Sequence, residues 1–96
     1  MAKGYLIAQV TVTDPEAYAE YSKAAGDLLK RCGARLIINP DTLTVVEGSP
    51  KNRTVIFEFD SFSQAKSFWD STEYAKAKAF RTGAAEADFM LVEGLD

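Results

Sequence analysis

Histidine is absent from this sequence. With it go the side chain most often used as a general base near neutral pH and the commonest metal ligand. Any proton transfer must fall to Asp, Glu, Tyr, Arg or Lys. Cysteine occurs once, as Cys32, so an intrachain disulfide is excluded and none of the Cys/His spacings of a zinc site exists. Reducing surroundings, no metal and no cofactor are the expectation. Long hydrophobic runs are missing too. The longest near the start, Leu6 to Ala8, stops at Gln9, far short of a signal h-region or of the ~20 residues a membrane-spanning helix needs. A cytoplasmic chain without a membrane partner is expected. Positive charge is scarce: 11 Lys and Arg against 14 Asp and Glu leave a net charge of −3. That balance argues against a phosphate-binding surface, and so against nucleic acid as a partner.

What is there is apolar material for one core. The chain has 96 residues, 47% of them hydrophobic, and a chain of this size cannot sustain two cores, so residues 1–96 are read as a single domain. Tyr5 to Val12 is a strand-length run rich in β-branched and aromatic residues. It closes on Thr13-Asp14-Pro15, the form of a helix start with Asp14 as N-cap and Pro15 in the first turn. From Glu16 to Cys32 the positions Tyr18, Tyr21, Ala25, Leu28, Leu29 and Cys32 recur at helical spacing, and Gly33 sits where a terminating glycine belongs.

Arg35 to Asn39 and Leu43 to Glu47 read as short strands around the turn Asn39-Pro40-Asp41, forming a hairpin or one bent strand. Arg53 to Phe59 is the clearest strand. Ser61 and Gln64 form a capping box for a second helix. That helix carries Phe62, Ala65, Phe68 and Trp69, pauses near Ser71-Thr72, and resumes with Tyr74, Ala77 and Phe80 up to Arg81; the pause marks a kink or two short helices. Ala87 to Glu93 is the last strand. The order βαββαβ, with right-handed crossovers, predicts an α+β ferredoxin-like two-layer sandwich: an antiparallel sheet with helices on one face.

Strand alternation then exposes a difficulty. Leu6, Ala8, Val10 and Val12 point one way and suit the helices, while Tyr5, Ile7, Gln9 and Thr11 point the other. Val55, Phe57 and Phe59 likewise oppose Thr54, Ile56 and Glu58, and Phe89 and Leu91 oppose Asp88, Met90 and Val92. A second face built from Tyr5, Ile7, Ile56, Met90 and Val92 leaves a contiguous apolar patch that monomers rarely tolerate. Sheet-to-sheet homodimerisation removes it, and about 800 Å² buried per subunit is ordinary for a stable interface.

Four stretches resemble a known family: Asp14-Pro15-Glu16-Ala17-Tyr18-Ala19-Glu20-Tyr21, Arg53 to Phe59, Ser71-Thr72-Glu73-Tyr74 with Ala77-Lys78 and Arg81, and Ala85 to Gly94. The chain is similar to the family known as domain of unknown function 1330, over almost its whole length. That family is similar in turn to the dimeric α/β-barrel proteins, which include cofactor-independent monooxygenases, muconolactone isomerase-like enzymes and stress-response proteins. The resemblance implies a dimeric α/β barrel and a homodimer, and carries no settled activity.

Candidate functional residues follow from placement. Tyr18, Tyr21, Trp69 and Tyr74 are aromatics with polar tips near the sheet-facing side of their helices, able to line a cavity for an apolar or aromatic ligand or simply to pack the core. Tyr21 and Trp69 are the better cavity residues, since their polar atoms need partners when buried. Arg81, at the end of the second helix, either binds a carboxylate or enolate of a small ligand or pairs with Glu86 or Asp88. Glu58 and Asp88 form an acid/base pair if they approach across the sheet, or else pair at a surface or interface. Arg53 reads as a solvated edge charge, Cys32 as a buried structural thiol, and Gly26, inside a helix, as a close backbone approach. The βαββαβ order also fits an RNA-recognition module, but Phe57 and Phe59 take the helix-facing register and the charge has the wrong sign.

The expectation is therefore a small homodimeric protein that binds a small apolar or aromatic ligand near Tyr21, Trp69, Tyr74 and Arg81. The alternative is a cofactor-independent enzyme of monooxygenase or isomerase type, in which Arg81 or a tyrosine stabilises developing negative charge.

Overall fold

The computed structural model describes residues 2–96. Strand β1 (Gly4–Val12) leads into helix α1 (Pro15–Arg31), a two-residue strand β2 (Arg35–Leu36) and a 3-10 turn (Pro40–Thr42). Strand β3 (Arg53–Phe59), helices α2 (Phe62–Trp69) and α3 (Thr72–Ala79) and strand β4 (Ala85–Glu93) complete the chain. The strands lie in the order β2-β3-β1-β4 with every pairing antiparallel. This is the ferredoxin-like α+β sandwich read from the pattern.

Each helix begins where a short polar side chain can accept from an orphan backbone N–H. Asp14 accepts from the Ala17 amide at 3.3 Å, Ser61 from Gln64 at 3.2 Å and Ser71 from Tyr74 at 3.1 Å. The Ser71 cap resolves the pause in the second helical segment as two helices. Gly33 ends α1 at φ +74°, in the left-handed region that glycine enters without strain.

Cα register puts Leu6, Ala8 and Val10 of β1 opposite Phe57, Val55 and Arg53 of β3, and opposite Leu91, Phe89 and Ala87 of β4. Facing residues in antiparallel strands share a side, so this set meets the helices. Leu6, Tyr21, Ala25, Leu29, Phe59, Ala65, Phe68 and Tyr74 form the buried cluster. Tyr5, Ile7 and Gln9 face the opposite side with Glu58, Ile56 and Thr54, and with Val92, Met90 and Asp88. Among the described residues no helix covers that side of a molecule only 17 Å thick, and Met90 and Val92 stay 42% and 45% exposed.

Three expectations are corrected. Leu43 to Glu47 is not a strand; it lies in an exposed loop. Pro40 opens the 3-10 turn just after β2, and β1 already holds the other edge of β3, so the run finds no ladder. Cys32 is exposed: α1 stops one residue before it, and the C-cap carries it off the buried stripe of Tyr21, Ala25 and Leu29. Gly26 makes no close approach, since a Cβ there would meet nothing within 4 Å. The glycine that packing demands is Gly4, where a Cβ would stand 2.6 Å from Phe62 Cα and from the Ser61 carbonyl oxygen.

Candidate ligand site

A cavity of about 170 Å³ lies between α1 and the helix-facing side of β1 and β3. Leu6 and Ala8 supply its floor, with Val55, Phe57 and Phe89 beside them; Tyr21, Ala25 and Leu29 close it from α1. Gly26 also lines it. The absence of a side chain there leaves room, which explains a helix-interior glycine better than close packing does.

Of the four ligand-site candidates, the structure brings all into one aromatic cluster beside this space. The Tyr21 and Tyr74 hydroxyls are hydrogen-bonded to each other at 2.9 Å, and both rings line the cavity. Burial is the main reason the Tyr21 hydroxyl is pushed far above its ordinary pKa, with Tyr74 adding to it. Tyr21 is therefore a neutral hydrogen-bonding group at physiological pH. Trp69 stands behind the wall, its ring centroid 4.8 Å from Tyr74 and 5.3 Å from Phe89. Arg81 takes neither Glu86 nor Asp88 as an ion-pair partner. Its guanidinium carbon sits 4.3 Å from the Phe89 ring centroid and 5.4 Å from that of Tyr21. Its Nε is buried and has no hydrogen-bond partner.

Glu58 and Asp88 are not brought together. They face opposite edges of β1, Glu58 in register with Tyr5 and Asp88 with Gln9, on the sheet side away from the cavity. Glu58 accepts from Arg35 Nη2 at 2.8 Å and from the Tyr5 hydroxyl at 3.1 Å. The Arg35 bond is the main cause that holds its carboxyl below the ordinary value. Asp88 pairs with Lys51. Among the described residues, no three potential metal ligands gather in one place.

Two further residues belong to the cavity: Tyr18, one of the aromatics expected to line it, and Arg53, read from the sequence as a solvated edge charge. Tyr18, one helical turn before Tyr21, stacks against it at 5.3 Å and lines the same space. Arg53 lines it as well. The signal for Arg53 was its parity with Val55, Phe57 and Phe59, which puts the first residue of β3 on the helix side.

Sheet order, helix placement and aromatic side chains between the layers define a ferredoxin-like α+β protein with a partly open pocket between helix and sheet. The chain belongs to the family described as a domain of unknown function (DUF1330), which it matches over residues 3–95. Among curated proteins, none matches it in sequence. Its structure is similar to that of RPA0582, a protein of unknown function from Rhodopseudomonas palustris, with TM-score 0.77 and 17% identity over 99% of this chain and 84% of that one. It is also similar to SnoaB, a cofactor-independent oxygenase from Streptomyces nogalater, with TM-score 0.68 and 8% identity over 100% and 96% of the two chains. A dimeric protein of unknown function from Bacteroides fragilis matches with TM-score 0.62 and 16% identity over 95% of each chain. At these identities the likeness is one of fold.

Proposed function

We propose that this domain is a homodimeric, cytoplasmic binding protein for a small apolar or aromatic molecule, held between α1 and the sheet. The cavity carries the reading. Interiors of small domains are close-packed, yet this one leaves about 170 Å³ open among apolar and aromatic side chains. Apolar cavities of about 150 Å³ accept a benzene-sized ring. The uncovered face bearing Ile7, Ile56, Met90 and Val92, together with the dimeric state described for the similar Bacteroides fragilis protein, supports pairing through the sheet. The lone cysteine, exposed and unpaired in a disulfide, fits a reducing, cytoplasmic setting; among the described residues no helix is long and apolar enough to cross a membrane. The net charge of −3 favours neither nucleic acid nor an anionic membrane as partner.

Catalysis of the cofactor-independent oxygenase or isomerase kind is the second reading, supported by Arg81 over the Tyr21 ring and by the similarity to SnoaB. It is the weaker one on chemical grounds. No carboxylate lines the cavity, Tyr21 holds its proton, and Glu58 and Asp88 lie on the other face of the sheet.

Toluene titrated into 15N-labelled protein tests the binding reading. Saturable shifts of the Ala8, Ala25 and Val55 amides are expected, and a spectrum indifferent to saturating toluene would reject it.

A further inference from the structure

The cavity is apolar along its length but cationic at one end. That end lies where β1 finishes and β3 begins, near the start of α1 and just past the end of α3. Arg53 reaches it from β3 and lines the cavity. Arg81 packs behind that end, its guanidinium over the rings of Phe89 and Tyr21, both lining residues, without itself lining the cavity. Tyr18, on α1, also lines the cavity. Burial raises the pKa of the Tyr18 hydroxyl, and the positive charges of Arg53 and Arg81 oppose that rise.

Neither cation is fully engaged by the protein. The pair of Arg53 with Asp41, at 3.1 Å, is solvent-exposed and contributes little. The Arg81 Nε is buried without a partner among the described residues, a costly state for an N–H donor, and it is closed off from the cavity rather than open to it. Stacking on Phe89 accounts for the place of the guanidinium face. It does not satisfy an in-plane N–H.

We infer that this end of the cavity is a carboxylate subsite: Arg53, with the Tyr18 hydroxyl, binds the anionic end of a ligand whose apolar body fills the space between α1 and the sheet, while Arg81 adds positive charge from behind the wall of Phe89 and Tyr21. The inference rests on the binding function proposed above and narrows the ligand to a small aromatic or apolar acid. A carboxylate accepts from the Arg53 guanidinium and the Tyr18 hydroxyl together, while its ring meets Phe57, Phe89 and Tyr21. Arg53 exchanges one exposed carboxylate, Asp41, for another in a drier place, where the attraction is stronger.

Benzoate and benzamide, equal in shape and different in charge, test this with the full-length protein at neutral pH and low salt. Benzoate is expected to bind at least about tenfold more tightly, as charge-assisted hydrogen bonds should outweigh neutral ones, and added salt should narrow the gap. Arg53→Met and Arg81→Met should each lower benzoate affinity several-fold and leave benzamide nearly unchanged. Tyr18→Phe should do the same more weakly. Should Arg81→Met fail to fold, Arg53→Met decides alone. Equal affinities for the two probes, or a preference that survives Arg53→Met, would overturn the subsite while leaving the cavity as a binding site. Binding of neither probe nor toluene would remove the cavity function and the subsite together.

Discussion

The hydroxyls of Tyr21 and Tyr74 meet at 2.9 Å across the buried seam between α1 and α3. Tyr21 is 6% and Tyr74 1% exposed, so water replaces neither partner easily. Truncating one leaves the other as a buried unsatisfied hydroxyl, at a cost of about 1–3 kcal/mol. Tyr21→Phe and Tyr74→Phe should each destabilise the fold by that order. The double variant should cost clearly less than the two together. Urea unfolding of the four species closes the cycle, and simple additivity would show that the hydroxyls do not depend on one another.

Two glycines should respond in opposite directions. Gly26 lies inside α1 with open space where a Cβ would go, so Gly26→Ala should stabilise by about 0.5–1 kcal/mol through helix propensity. Gly4→Ala drives a methyl group into the backbone of Ser61 and Phe62 and should destabilise by about 2 kcal/mol or more. Thermal unfolding midpoints should move up for the first and down for the second. A lower midpoint for Gly26→Ala would mean that the open space is not available.

Acid should expose the contribution of Glu58. Arg35 is the leading cause of its depressed folded-state pKa. The carboxylate therefore contributes stability that is complete above its unfolded pKa of about 4.3 and is lost as pH falls through the lower folded value. Glu58→Gln should thus be less stable than the parent at pH 7, with the gap closing below about pH 4.3. Glu73, whose carboxyl is also held low, cancels in this comparison because both proteins carry it. Unfolding midpoints between pH 7 and pH 3 provide the measurement, and a gap that stays constant to the lowest pH would contradict the assignment.

The uncovered sheet face should control assembly. Ile7 and Ile56 are cross-strand partners at its centre. A charge placed there would have to be buried unpaired in a sheet-to-sheet dimer. Ile56→Lys is expected to convert a dimer into a monomer in light scattering at micromolar concentration, with the far-UV circular dichroism spectrum retained. A parent protein that is already monomeric at that concentration would remove the dimer from the proposed function.

Some elements were legible because their signals are local. β3 runs from Arg53 to Phe59 as its β-branched and aromatic run indicates, and Ser61, Ser71 and Gly33 bound their helices as capping chemistry requires. The Leu43 to Glu47 run misled for the complementary reason: β propensity acts only where a partner edge is free, and none was. Tyr21 and Trp69 were recognisable as aromatics whose polar atoms need partners when buried, with Tyr74 beside them as a cavity or core residue; the hydroxyl that meets Tyr21 is that of Tyr74. That each would be the other's partner depends on how α1 and α3 pack, across 53 residues of chain.

Hydrophobic periodicity and capping, read along the chain alone, determined the element order, the helix-facing residues of each strand and the apolar character of the opposite face. These follow from backbone geometry repeating every two or 3.6 residues. Tertiary structure alone decided that Gly26 opens onto a cavity, that Arg53 and Tyr18 line it together with Arg81 stacked on its wall, and that Glu58 and Asp88 do not meet. Such juxtapositions depend on sheet register and on where a helix crosses the sheet, and packing between distant segments sets both.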